Sequence, residues 1–206
     1  MIAIVNYGSG NIQAIKNIYT KLRIDSFFAS KPGDLRKASK IILPGVGSFD
    51  QAMAQLNQSG MRDELDALVL EAKKPVLGVC VGMQIMANCS QEGVSDGLGW
   101  FDARVESFDV TQINHKPKIP HMGWNDIHVV RKHCILEHID EQKGFYFLHS
   151  YFFHCNNERD VLAKTFYSQD FACAVNRENI FGFQFHPEKS HSNGVSLFKN
   201  FAGINV

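Results

Sequence analysis

Three apolar runs in the first half of the chain, Ile2–Val5, Lys40–Leu43 and Pro75–Val79, each end in a glycine-bearing turn that leads into a stretch of helical spacing. No other feature narrows the possible folds as much. The first turn, Asn6-Tyr7-Gly8-Ser9-Gly10-Asn11, precedes Ile12, Ile15, Ile18, Tyr19 and Leu22, which share one helical face. A short strand is expected over Asp25–Ala29, and a turn at Lys31-Pro32-Gly33-Asp34. The second turn, Pro44-Gly45-Val46-Gly47-Ser48-Phe49, leads to Met53, Leu56, Met61, Leu65, Leu68 and Val69, an amphipathic region reaching Glu71 and interrupted at Ser59-Gly60. After the third, a helix is expected over Gly82–Cys89. Strands and helices in this alternation build a doubly wound parallel sheet, whose ligands sit at the carboxyl ends of the strands.

From Gly97 the pattern changes. Leu98–Val110, Lys118–Val130, Phe145–Phe153 and Val161–Phe166 read as strands with few helices between them. The expected fold class is therefore α/β, a doubly wound mixed sheet with a largely antiparallel second half. At 206 residues one domain spanning 1–206 is expected. The aromatic run Gly144–Tyr151 is assigned mostly to the core.

Composition excludes several functions. Twenty-one basic and 21 acidic residues cancel without a long run of either sign, which gives no reason to expect a nucleic-acid or membrane surface. Met1-Ile2-Ala3-Ile4-Val5 has no basic leader, and no apolar stretch approaches membrane-spanning length, so a cytoplasmic protein is expected. Five cysteines at irregular spacing (Cys80, Cys89, Cys134, Cys155, Cys173) do not form a disulfide framework, and four of them are assigned to core filling. The nine histidines lack metal-ligand spacing, so no metal and no cofactor are expected. Gly8 and Gly10 invite a dinucleotide reading, but Gln13 stands where that fingerprint needs a third glycine.

The chemistry points to Gly78-Val79-Cys80-Val81-Gly82. A strand, a sharp turn and a helix, with Gly on both sides of one nucleophile, form the pattern of a nucleophile elbow. The helix after Cys80 would turn its free N–H groups toward the sulfur and favour thiolate. The plainer reading makes Cys80 a buried small hydrophobe at a strand end. The loop Gly45-Val46-Gly47 could turn a peptide N–H toward an oxyanion, or be an ordinary strand-to-helix turn. In Asn179-Ile180-Phe181-Gly182-Phe183-Gln184-Phe185, Phe alternates with Gly and Gln. Continuing that period puts His186 and Glu188 on the side opposite the phenylalanines, with Pro187 expected to keep the pair extended. His186 would then take the proton of Cys80, and Glu188 would orient the imidazole. A plain solvated turn is the alternative for His-Pro-Glu alone, but three such coincidences in one chain favour a Cys80, His186, Glu188 triad.

Gly78-Val79-Cys80-Val81-Gly82-Met83-Gln84 together with Phe185-His186-Pro187-Glu188 is similar to the class I glutamine amidotransferases. Pro44–Phe49, Pro120-His121-Met122-Gly123-Trp124-Asn125, His149-Ser150-Tyr151 and Lys189-Ser190 make it resemble, within that family, the glutaminase subunits of imidazole glycerol phosphate synthases, from Asn6 to Phe201. The resemblance implies hydrolysis of glutamine to glutamate and ammonia through a thioester on Cys80. It implies an oxyanion hole from Val81 and, after a peptide flip, Val46, in the loop that holds Gly47. Gln84, Ser150, Tyr151 and Gly45 would bind glutamine. Val81 stands where the family commonly has Leu, which matters little for a backbone role. A (β/α)8-barrel cyclase is the implied partner in a heterodimer, with Asn11, Trp124, Tyr146 and Lys189 around the ammonia exit. Trp124 could equally be a core aromatic, and Lys189 a solvated charge.

Relatives of these subunits also supply ammonia for amidination of surface-polysaccharide sugars, and the catalytic motifs do not separate the two acceptors. A non-catalytic docking subunit would have no reason to keep a nucleophile. A redox-sensing thiol would leave Gln84 and Glu188 without a role.

Overall fold

The computed structural model describes all residues except 114, 115, 117, 205 and 206. Its first half alternates strand and helix: β1 (Ile2–Val5), α1 (Ile12–Lys21), β2 (Ser26–Ala29), α2 (Pro32–Leu35), β3 (Lys40–Gly45), α3 (Phe49–Gln58), α4 (Arg62–Asp66), β4 (Val76–Cys80) and α5 (Val81–Gln84). Strands covered on both faces need apolar side chains at successive positions. Accordingly, β1 and β4 are buried throughout, as are Ile41, Ile42 and Leu43 of β3. Ser48 caps α3 by accepting from Gln51 N–H, and a π-helical turn over Ala67–Glu71 continues α4.

The second half adds β5 (Cys89–Ser90), β6 (Ala103–Ser107), β7 (His121–Asn125), β8 (His128–Val129), β9 (Phe145–His149), β10 (Tyr151–Cys155), β11 (Val161–Tyr167), β12 (Gln169–Arg177), β13 (Ile180–Phe183) and α6 (His191–Gly203). The main sheet runs β2-β1-β3-β4-β13-β12-β10-β6-β5, with β11 and β8 continuing from β12. The strands from β2 to β13 are parallel, whereas β12 is antiparallel to β13, β10 and β11. The chain thus returns to the middle of the sheet with β13, which lies beside β4 in the register Gly182↔Gly78 and Phe183↔Val79. Gly45 pairs with Cys80 on the other side of β4. Three adjacent parallel strands therefore end side by side, as the sequence pattern predicts for a ligand site. Helix α6 closes against α1, with Tyr19 and Phe198 meeting edge to face at 5.5 Å, and the buried apolar side chains form one connected core.

Several boundaries differ from expectation. The helix after Cys80 is a single turn, and Cys89 already belongs to a strand. The turn at Lys31–Asp34 is helical, because Pro32 fits the first position of a helix. Phe145–Phe153 is two strands: β9 pairs with β7 in a separate ribbon, and β10 pairs with β6 and β12. The long runs Leu98–Val110 and Lys118–Val130 shrink to β6 and to β7 plus β8. Strand β12 was not expected, although the apolar run Phe171-Ala172-Cys173-Ala174-Val175 signals a strand buried on both faces. Of the four cysteines assigned to the core, Cys155 and Cys173 are buried and Cys89 and Cys134 are exposed. Among the described residues no helix is long and apolar enough to cross a membrane.

Candidate active site

Cys80 ends β4 with φ +55° and ψ −114°, a conformation that non-glycine residues adopt only under tertiary constraint. Its neighbours supply the constraint. A Cβ on Gly82 would collide with the Leu43 carbonyl, and one on Gly78 would lie 2.7 Å from the Gly82 carbonyl oxygen. Gly45 packs just as closely on the Val81–Gly82 backbone. The elbow is wedged between β3 and α5, and its glycines are what permit that approach.

His186 follows β13, and its backbone N–H donates to the Tyr146 carbonyl at 2.8 Å. Ser190 Oγ donates to the His186 carbonyl at 2.6 Å and accepts from Tyr146 N–H at 3.0 Å, which ties the segment to β9. The expected extended His-Pro-Glu is instead a tight 3₁₀ turn over Pro187–Lys189, since proline suits the first position of a turn. That turn is what brings Glu188 back: His186 Nδ1 lies 2.8 Å from Glu188 Oε1, with both side chains buried. Burial alone would lower the affinity of His186 for a proton, but the neighbouring Cys80 and the hydrogen bond to Glu188 outweigh it and hold the imidazole well above its usual range. An imidazole that keeps its proton can serve as the acid in an acyl transfer.

Cys80 and His186 open on a cleft of about 290 Å³, with Glu188 buried behind the imidazole; the lining also includes Val46, Gly47, Val81, Gln84, Glu92, Ser150, Tyr151 and Lys189. Gly45 lies beneath the elbow and does not line it. Gln84 donates from Nε2 to the Tyr151 carbonyl at 2.9 Å. Glu92 was missed by sequence reasoning. It sits in an irregular loop after β5, where no periodicity marks it, and its Oε2 accepts from Phe49 N–H at 2.8 Å. Among the described residues it is the one carboxylate lining the cleft, and it suits the α-ammonium of an amino acid.

The two amides expected to form an oxyanion hole are in different settings. Val81 lines the cleft and begins α5, where an amide has no intrahelical acceptor. Val46 N–H instead donates to Ser9 Oγ at 2.8 Å, and Ser9 Oγ donates to the Val46 carbonyl, also at 2.8 Å. The peptide expected to face the oxyanion is turned away and clamped.

At the rim, Lys189 Nζ lies 5.5 Å from the centre of the Tyr146 ring, and Tyr146 meets Trp124 edge to face at 6.5 Å. Trp124 is 47% exposed, which removes the core reading. Asn11 is exposed at the start of α1, a helix that packs on the Pro187–Lys189 turn. Among the described residues no group of His, Cys, Asp and Glu is arranged to hold a metal ion.

A strained cysteine at a parallel strand end, sharing a cleft with the histidine of a buried His–Glu pair, has the parts that acyl transfer through a thioester requires. The family model for glutamine amidotransferase class-I matches residues 3–204, and the chain belongs to that family. Among its relatives, the imidazole glycerol phosphate synthase subunit HisH of Leptospira interrogans is 48% identical, covering 99% of this chain and 100% of that protein. The subunit of the same name from Bdellovibrio bacteriovorus is 51% identical over the same shares. A crystal structure of a glutamine amidotransferase matches the fold with a TM-score of 0.73 at 20% identity, covering 99% of this chain and all of the other.

Proposed function

We propose that the whole chain is one glutaminase unit of an imidazole glycerol phosphate synthase, acting in the cytoplasm in histidine biosynthesis. Its substrate is glutamine and its partner a (β/α)8-barrel cyclase, which uses the ammonia to make imidazole glycerol phosphate and aminoimidazole carboxamide ribotide. The observation that carries the reading is Cys80, strained at the elbow and sharing a cleft of amino-acid size with His186, itself held by Glu188.

The Cys80 thiolate attacks the side-chain carboxamide carbon of glutamine, and the carbonyl oxygen becomes an oxyanion held by Val81 N–H and the reoriented Val46 N–H. His186 gives its proton to the departing nitrogen, which leaves as ammonia, and a thioester remains. His186 then takes a proton from water as the water attacks; the thiolate leaves and glutamate forms. Glu188 holds the ring and offsets its charge. Gln84, Ser150 and Tyr151 hold the substrate, with Glu92 against the α-ammonium. Trp124, Tyr146, Lys189 and Asn11 form the docking rim through which ammonia passes, because ammonia released into water is protonated and lost to the synthase.

Since Val46 is clamped by Ser9 in the free chain, docking turns the peptide and completes the oxyanion hole. Cys80→Ala in the complex should abolish synthesis from glutamine yet leave synthesis from added ammonium salt intact. Loss of both would make Cys80 a structural residue.

A further inference from the structure

Gln184 has no part in the chemistry above. It follows β13, is fully buried and does not line the cleft. Its side chain nonetheless lies between two residues of the site: Oε1 accepts from Gln84 Nε2 at 3.1 Å, and Nε2 points at Cys80 Sγ at 4.0 Å. The two ends of an amide have nearly the same shape, so their orientation has to be argued from their partners. Here one backbone atom decides it. The Tyr151 carbonyl can only accept, and it lies 2.9 Å from the Gln84 side chain, so Gln84 must turn its nitrogen there. The second hydrogen of that NH2 faces Gln184, which must therefore answer with its oxygen. The Gln184 nitrogen is left to face the sulfur. Reversing Gln184 alone would set one NH2 against another, and reversing both would set the Gln84 oxygen against the Tyr151 oxygen.

His149 reinforces the arrangement. Its Nδ1 donates to the same Tyr151 carbonyl at 2.8 Å, and burial, followed by the neighbouring His121, keeps the ring neutral. Tyr151 O thus receives two fixed donors. At the other end, Cys80 Sγ lies 3.8 Å from the Leu148 carbonyl, which accepts from a thiol but repels a thiolate. An N–H donor on the opposite footing gains strength as the sulfur becomes charged.

We propose that Gln184 is a positioning residue for the nucleophile: its side-chain N–H, locked through Gln84 onto the Tyr151 carbonyl, stabilises the Cys80 thiolate in addition to His186. The proposal rests on Cys80 being the nucleophile, but it can be read without glutamine turnover. The first measurement uses the unmodified chain, with the Gln184 side-chain amide observed by ¹⁵N NMR and carboxamidomethylation of Cys80 by iodoacetamide followed by mass spectrometry of its peptide, both against pH. The amide resonance should move with the same midpoint as alkylation, and Cys80→Ser should remove the movement. In Gln184→Met, the alkylation midpoint should rise by about one pH unit, a tenfold change in the ionisation equilibrium. In the cyclase complex the same variant should lower kcat about tenfold at neutral pH, with KM for glutamine within about twofold, and regain rate at higher pH. A residue that only filled space would change stability without moving either midpoint. A Gln184 amide indifferent to Cys80 ionisation overturns the proposal whether or not the variant folds, as does an unmoved midpoint in a folded Gln184→Met. A shifted midpoint in a complex that does not hydrolyse glutamine would instead leave Gln184 in place and refute the glutaminase reading.

Discussion

Ser9 holds Val46 by both faces of one residue, donating to its carbonyl and accepting from its N–H. Each such bond contributes about 1 kcal/mol net. Ser9→Ala should therefore release the peptide, and glutamate formation by the free chain should rise about tenfold with little change in the docked rate. An unchanged basal rate would mean that something other than Ser9 holds the peptide. Glu188 contributes by orienting and balancing His186, whereas His186 moves protons. Glu188→Gln should thus lower kcat by roughly tens of times less than His186→Ala, and equal losses would give Glu188 a different role. His186, Glu188 and Cys80 were legible in the sequence because a nucleophile between glycines and a His–carboxylate pair are written in adjacent letters. Ser9, Glu92 and Gln184 were not, since each acts on a partner at least thirty-seven positions away and none carries a local pattern.

At the scale of elements, the ribbon of β7 and β9 carries a histidine pair beneath the rim. His121 Nδ1 and His149 Nε2 are 3.0 Å apart, and with His149 Nδ1 donating to Tyr151, His149 Nε2 must accept. Burial, and then His121, push His149 down to about 3. The unfolded chain protonates this group near pH 6.5 while the folded chain does not, so the unfolded state binds more protons as pH falls. Stability present above pH 6.5 is then lost toward pH 3, by about 1.4 kcal/mol per unit. His186 is displaced the other way and is charged in both states below 6.5, so it adds no slope there. Urea midpoints at pH 7 and pH 4.5 should differ more for the unmodified chain than for His149→Gln, and equal differences would remove His149 as the cause. The parallel strands were legible because burial on both faces leaves continuous apolar runs. The split of Phe145–Phe153 between two sheets was not, since both halves are aromatic and only the pairing partners distinguish them.

The whole molecule sets the cleft of Cys80 and His186, with Val46 N–H held by Ser9, beside an exposed rim. Val46, Met122 and Trp124 are exposed large apolar residues; Val46 lines the cleft of the strained Cys80, and Met122 and Trp124 lie on β7 opposite Leu148 and Tyr146 of β9. Such a face suits a covering partner, and the clamped Val46 predicts a slow uncovered chain. In the proposed mechanism the elbow supplies the nucleophile, docking of the barrel frees the last hydrogen-bond donor, Val46 N–H, and ammonia is released only where it is used.

The most direct test is glutamate release from glutamine by the purified chain, alone and with a (β/α)8-barrel cyclase, with and without the cyclase's nucleotide substrate. The account predicts a slow free chain, strong stimulation by the docked cyclase that rises further with the nucleotide, and loss of all release in Cys80→Ala. A free chain as fast as the complex, or a cyclase that neither binds nor stimulates it, would contradict it.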